Sequence, residues 1–304
     1  MVVATTGFFD GVHRGHRAVI DKICALATAQ GDTSALITLW PHPRTVLQQD
    51  AAKFRLLTSL EEKVALLKSY GIDEVHTLEF DKEFASQSTE QYFRNYLINK
   101  FNVKTLVIGH DNRVGNDINQ TQQEMMEIAR GLGINPVRVN EYIESESGLV
   151  ISSTKIREML LAGEMEVANN LLGYRYGVEG VVVEGMKIGR KMGFPTANMR
   201  LYEPLKLLPS NGVYAVWVQT LGKVFRGITN IGRRPTVGTN NELTVETHIL
   251  NFNEEIYGLS IKLEFVSKLR DEVTFSSLDA LKNQLSKDRE NSYLYLRENN
   301  ITMR

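Results

Sequence analysis

At 304 residues, with 42% hydrophobic and 23% charged side chains, the chain has the composition of a soluble globular protein and the length of two ordinary domains. Its 35 Lys and Arg against 36 Asp and Glu leave a formal charge of -1, so bulk charge gives no global push toward nucleic acid or an anionic membrane. One cysteine, no apolar stretch of about 18 residues, and no basic-then-apolar leader at the start predict a cytoplasmic protein without a membrane span.

Residues 2–6 form a short β-branched run ending at Gly7, after which Ala18, Val19, Ile23 and Leu26 fall at helical spacing. Residues 34–39 read as a buried strand stopped by Pro41 and Pro43. Residues 61–70 read as an amphipathic helix with Gly71 beyond its end. A strand at 74–80, a helix at 89–101, a strand at 105–108 ending on Gly109, a helix at 124–131 and an extended segment at 136–139 follow. The alternation predicts an α/β domain, a parallel sheet with helices on both faces.

The pattern changes near residues 173–180. Strand-like runs then follow closely, at 176–183, 212–219, 223–228, 244–251 and 260–266, and a helix comes only at the end, from 278 to 288 and on toward Glu298. This predicts a small antiparallel barrel or sandwich with a C-terminal helix. The helical stretch 153–172 is the expected joint, which gives domains at 1–172 and 173–304.

The first chemical signal is the run Gly7-Phe8-Phe9-Asp10-Gly11-Val12-His13-Arg14-Gly15-His16, placed between a strand and a helix. Such a turn presents unpaired backbone N–H groups to an anion, and the helix dipole adds to the attraction. Gly7, Gly11 and Gly15 permit close approach of a phosphate. His13 and His16, three apart, share one face of the first helical turn and can donate to a triphosphate as charge builds on it. Either histidine alone reads more commonly as a cap or surface residue than as a catalyst, and the pair lacks the i, i+4 spacing of a helical zinc site. Further on, Ser152, Ser153 and Thr154 offer hydroxyls and N–H groups at a helix start, with Arg157 one turn along for a phosphate.

The second signal is the glycine-rich, cationic stretch from Gly185 through Lys187, Gly189, Arg190, Lys191 and Gly193 to Phe194-Pro195-Thr196-Ala197-Asn198. It suits a phosphate-covering loop without being a P-loop. Thr196 and Asn198 are hard oxygen ligands of the kind Mg²⁺ takes. In the strand around residues 245–250, alternation puts Glu246 and His248 on one face, where Glu246 could accept a hydroxyl proton during phosphoryl transfer. Alone, it reads more commonly as a solvated or salt-bridged strand residue.

The HxGH run resembles the signature of the nucleotidyltransferase superfamily, and ISSTKIR at 151–157 resembles that superfamily's second motif. GFPTAN, NGVYAV, NIGRRPT, VETHIL, IYG and LRDE resemble a riboflavin kinase module in the same order. Together they are similar to the bacterial bifunctional riboflavin kinase/FMN adenylyltransferases over essentially the whole chain. The resemblance implies a Rossmann-like nucleotidyltransferase domain that adenylylates FMN with ATP, and a barrel that phosphorylates riboflavin. It implies ATP contacts at Gly7, Phe8, Phe9, Asp10, Gly11, His13, Gly15, His16, Ser152, Ser153, Thr154 and Arg157. It further implies Mg²⁺ at Thr196 and Asn198, ATP under the loop from Gly185 to Gly193, Glu246 as general base, and flavin near Arg270 and Glu272. Partners are the small molecules riboflavin, FMN and ATP. The flavin side of the first site falls at Asp111, Asn112 and Arg113, where Asn112 and Val114 replace the usual aromatics. That departure opens a second reading, a riboflavin kinase alone.

Overall fold

The computed structural model describes residues 1–47, 54–110, 112–117, 119–140, 150–185, 189, 193–233 and 243–298. The chain forms two compact units, Met1–Ser153 and Thr154–Arg304.

The first unit runs β1 (Val2–Thr6), α1 (Arg14–Gln30), β2 (Thr33–Trp40), α2 (Pro43–Leu47), α3 (Leu60–Ser69), β3 (Glu74–Glu79), α4 (Lys82–Ala85) and α5 (Thr89–Tyr92). A π-helical turn, Phe93–Ile98, continues α5, and β4 (Val103–Ile108), α6 (Gln122–Gly131) and β5 (Asn135–Arg138) complete it. All five strands are parallel, in the order β3-β2-β1-β4-β5. Period-two alternation sends Val3, Leu36 and Val107 to one face, where they meet Ile20 and Ile23 of α1 and Leu67 of α3. Ala4, Ile37 and Leu106 go to the other face, against Phe93, Leu97, Met125 and Ala129. The sheet is thus covered on both sides, as the sequence predicts. Strand order reverses at β1, so the carboxyl ends of β1 and β4 frame a crevice, the usual ligand position in such sheets.

Local chemistry sets the helix ends. α1 stops at Gly31, whose left-handed φ of 67° returns its N–H to the last turn. α3 starts on a capping box, with the Ser59 hydroxyl accepting from the Glu62 N–H and the Glu62 carboxylate accepting from the Ser59 N–H.

The second unit opens with α7, Ser153–Ala162, whose first residue belongs to the first unit, and α8 (Met165–Leu172). It continues with β6 (Gly177–Val183), β7 (Ala197–Leu201), β8 (Gly212–Thr220), β9 (Lys223–Arg233), β10 (Leu243–Ile249), β11 (Ser260–Arg270) and α9 (Leu278–Glu298). The expected single helical joint is two helices, parted at Gly163 with φ 82°. Buried Asn169 of α8 donates to the Phe265 carbonyl and accepts from the Tyr176 N–H, which fastens the helix to the barrel. The six strands close into an antiparallel barrel, β10-β7-β6-β11-β8-β9, so the barrel form of the expectation holds. α9 lies across it, with Leu296 on Ala215 and Val266.

Strand β7 has no counterpart in the sequence reading, because Asn198 and Arg200 interrupt its apolar run. β9 and β11 also extend beyond the expected ends, to Arg233 and Arg270. In β11, irregularities at Phe265/Ser267 and Lys268/Arg270 keep it paired with β8.

Candidate functional site

At the first crevice the β1–α1 turn is held in an uncommon backbone conformation. Phe9, Gly11 and Val12 have φ of 50°, 82° and 36°, and Val12 is fully buried. A β-branched residue persists there only where its surroundings over-determine it. Asp10 supplies much of that constraint. Its carboxylate accepts from the N–H of Leu57 at 3.0 Å and of Thr58 at 3.1 Å, and Gly11 donates to the Thr58 hydroxyl at 3.1 Å. The Asp10 side chain is therefore turned into the scaffold, while its carbonyl accepts from the Ser153 hydroxyl at 2.9 Å. Glycine at Gly15 leaves room for the His13 ring, which an added Cβ would meet at 3.2 Å. The Gly7 N–H continues the ladder to the Ile37 carbonyl.

His13 is the N-cap of α1, its Nδ1 accepting from the His16 N–H at 3.3 Å, so its neutral form carries the proton on Nε2. The His13 and His16 rings stack at 3.6 Å with 14° between planes, and Phe9 packs against His16. Burial, His13 and the cation of Lys63 together push His16 well below the ordinary histidine range, which keeps it neutral at pH 7. Its Nδ1 is buried without a hydrogen-bond partner. A bare Nδ1 and a protonated Nε2 leave no buried donor unmet, so Nε2–H is the tautomer that fits. Two stacked imidazoles, each with an Nε2 donor, stand at a helix N-terminus.

Ser153 ties the ISSTKIR string to this turn through Asp10, and Ser152 is half-buried beside it. Thr154 is exposed and Arg157 half-buried on the first turn of α7, on the far side of the division between units. At the end of β4, the Asn112 amide donates to the Thr6 carbonyl at 2.6 Å. Val114 is half-buried and packs against the Phe93 and Leu97 side of the core, its carbonyl accepting from the Thr89 hydroxyl, while Arg113 is exposed. Asp111 lies outside the described residues.

In the second unit, strand register assembles a polar row. Glu246 of β10 lies opposite Asn198 of β7 on one side and Asn230 of β9 on the other, and directly paired residues share a face. The alternate residues Val245 and Thr247 are buried, with the Thr247 and Thr229 hydroxyls 2.9 Å apart. A Cβ at Gly185 would collide with the Asn198 carboxamide, so glycine there makes its room. His248 Nδ1 bonds the Pro195 carbonyl at 2.8 Å and steadies the strand entry that carries Thr196. A cavity of about 310 Å³ reaches Thr196 and Thr247 and is walled by Val182, Ile249, Phe252, Ile256 and Tyr257. Its size and partly apolar walls suit a small ligand.

Gly189 accepts from the Phe194 N–H, and Gly193 turns with φ 81°. Lys187 and Arg190 lie outside the described residues. Arg270 is engaged locally: Nε and Nη2 grip buried Asp288 of α9, at 2.7 Å for Nη2, and Nη1 donates to the Asp271 carbonyl. Glu272 accepts from Asn211 at 3.2 Å and from Asn230 at 3.4 Å, which joins it to the Glu246 row.

Sequence reasoning passed over Asn230, Lys63 and the cavity. Asn230 emerges only from strand register. For Lys63 there was a signal, a lysine on the apolar stripe of α3 one turn before Leu67. The cavity walls come from three separate strands and loops, which no local pattern joins.

Thr196 and Asn198 offer a hydroxyl and a carboxamide, and the space at Gly185 admits the latter, so the pair fits a hard divalent cation. Among the described residues no three His, Cys, Asp or Glu side chains are grouped to hold a metal, and no helix is long and apolar enough to cross a membrane.

Comparison with known proteins follows the same division. The FAD synthetase family model matches residues 1–155 and the riboflavin kinase family model residues 172–296. The bifunctional riboflavin kinase/FMN adenylyltransferase of Bacillus subtilis is 36% identical, over 96% of this chain and 92% of the relative. That of Escherichia coli K12 is 37% identical, over 94% and 90%. A crystal structure described as a macrolide-efflux protein from Streptococcus pneumoniae aligns with a TM-score of 0.87 at 30% identity, covering 96% of this chain and 93% of that one. With both family models in order and such identity over nearly the whole length, the chain belongs to the bifunctional riboflavin kinase/FMN adenylyltransferase family.

Proposed function

We infer that this chain makes both flavin cofactors, phosphorylating riboflavin to FMN in its barrel and adenylylating FMN to FAD, with release of pyrophosphate, at the first crevice. The observation that carries the reading is the coincidence of each family match with one fold and one phosphate-handling constellation. The FAD synthetase match spans the departing stretch at Asn112 and Val114, and nothing favours a kinase alone.

In this reading the FMN phosphate attacks the α-phosphate of ATP. A phosphate monoester is already ionised at pH 7, so the step needs no strong protein base. His13 and His16 donate from Nε2 to the phosphates, and Ser152, Ser153, Thr154 and Arg157 complete the grip. Gly7, Phe8, Phe9, Asp10, Gly11 and Gly15 supply the backbone cradle, Asp10 by shaping it. Asp111, Asn112 and Arg113 are assigned to FMN by the resemblance.

In the barrel, Glu246 accepts the proton of the ribityl hydroxyl as that oxygen attacks the γ-phosphate of a second ATP, breaking its bond to the β-phosphate and releasing ADP. Thr196 and Asn198 hold Mg²⁺, which when bound neutralises phosphate charge. The cavity beside Thr196 takes the nucleoside end of ATP, and the loop bearing Gly185, Lys187, Gly189, Arg190 and Gly193 covers its phosphates. Arg270 and Glu272 border the flavin, Arg270 as a strut set by Asp288. The catalytic halves are residues 1–172 and 173–304, the helix of the ISSTKIR motif counting with the first, and the compartment is cytoplasmic. Incubating the protein with riboflavin, ATP and Mg²⁺ and separating flavins by chromatography tests the reading. FMN followed by FAD is expected, and the absence of both overturns it.

A further inference from the structure

Beneath the β1–α1 turn lies a lysine with no surface role. Lys63 of α3 is fully buried, and a charged side chain is almost never so placed without partners. Its ammonium donates to the Phe8 carbonyl at 2.9 Å and to the Thr38 hydroxyl at 3.1 Å. Thr38 in turn donates to the same Phe8 carbonyl at 3.3 Å, so two donors converge on one oxygen of the cradle. The ammonium also lies over the Phe8 ring, 4.2 Å from its centroid, with the Trp40 ring at 5.7 Å.

We propose that Lys63 is a positioning residue for adenylyl transfer, its buried ammonium fixing the Phe8 carbonyl so that the turn bearing His13 and His16 faces a nucleoside triphosphate. The proposal rests on the adenylyl-transfer reading of this site. Core stability alone accounts poorly for the lysine. A methionine would fill the same volume on the apolar stripe without desolvating a charge. An ammonium instead brings a fixed positive charge under a turn of partly positive N–H groups, where a polyanion docks.

The surroundings make the charge titratable. From the turn, the Asp10 carboxylate favours the ammonium. From α1, His16 is neutral and adds no repulsion. From β2 come only Thr38 and the Trp40 ring. Burial outweighs Asp10 and draws Lys63 down to about 8. The cation is therefore present at pH 7 and lost as pH rises through 8.

The test follows FAD formation from FMN and ATP between pH 6.5 and 9.5 in wild type, Lys63→Arg and Lys63→Met, with thermal melts alongside. Wild type is expected to lose ATP affinity above pH 8. In Lys63→Arg, whose guanidinium stays charged, that alkaline fall disappears. Lys63→Met should lose roughly 10- to 100-fold in kcat/KM for ATP at pH 7, the scale of a mispositioned site, while FMN formation from riboflavin is unchanged. An alkaline fall that persists in Lys63→Arg overturns the proposal, as does a Lys63→Met protein that melts lower but transfers at the wild-type rate. Wild type that forms no FAD from FMN at any pH overturns the reading of the site and the proposal together.

Discussion

His16 illustrates how one side chain can be set by its surroundings rather than by its type. The HxGH spacing places it three residues from His13 on the same helical face, which the sequence makes plain. That it stacks on His13, buries Nδ1 without a partner and stays neutral depends on Phe9 and Lys63, and no local pattern carries that. A neutral buried histidine leaves a thermodynamic trace. Below pH 6.5 the unfolded chain binds a proton at this position that the folded chain refuses, so stability falls as pH drops through that range. Thermal melts of wild type and His16→Phe at pH 7.5 and 5.5 check this. Wild type should lose more on acidification than the variant, and parallel losses would contradict the assignment. Glu246 shows the converse: its residue type and strand alternation were legible, whereas its place between Asn198 and Asn230 comes from register across three strands.

Among the elements, the β1–α1 turn depends on a carboxylate that is bound inward. The resemblance put Asp10 among the ATP contacts, and an acidic residue in a glycine-rich turn carries no mark of which way it points. The side chain serves the Leu57 and Thr58 N–H groups. Asp10→Ala leaves the buried Leu57 and Thr58 N–H donors unmet and should cost about 2–6 kcal/mol, at about 1–3 per donor. Urea unfolding followed through the first unit measures this, and a cost below about 1 kcal/mol would show that the turn holds without it. Strands β1, β2 and β4 were readable because each is a largely apolar run bounded by turn residues. Strand β7 was not, since the residues that interrupt its pattern, Asn198 above all, are those that face the site. The glycine-marked break in the helical pair at Gly163 was visible in sequence but was read through, as a lone glycine within a helical pattern often is.

For the whole molecule, the change from widely spaced alternation of strands and helices to closely spaced strands was enough to separate an α/β unit from an antiparallel one. Closure of the second into a barrel was left open, since it requires β10 to pair with both β7 and β9, a fact of register alone. In the proposed function, two separate sites in one chain perform two successive reactions. Supplying riboflavin, ATP and Mg²⁺ to Glu246→Gln, to His16→Ala, and to a mixture of the two tests it most directly. Glu246→Gln should lose about 10²- to 10⁴-fold in FMN formation, the usual reach of a general base. His16→Ala should accumulate FMN with FAD formation reduced about 10²- to 10³-fold, the scale of one lost charge-stabilising donor. The mixture should make FAD at a rate neither variant attains alone. FAD formed from riboflavin at the wild-type rate by either variant alone, or a mixture no better than its parts, would contradict the two-site account.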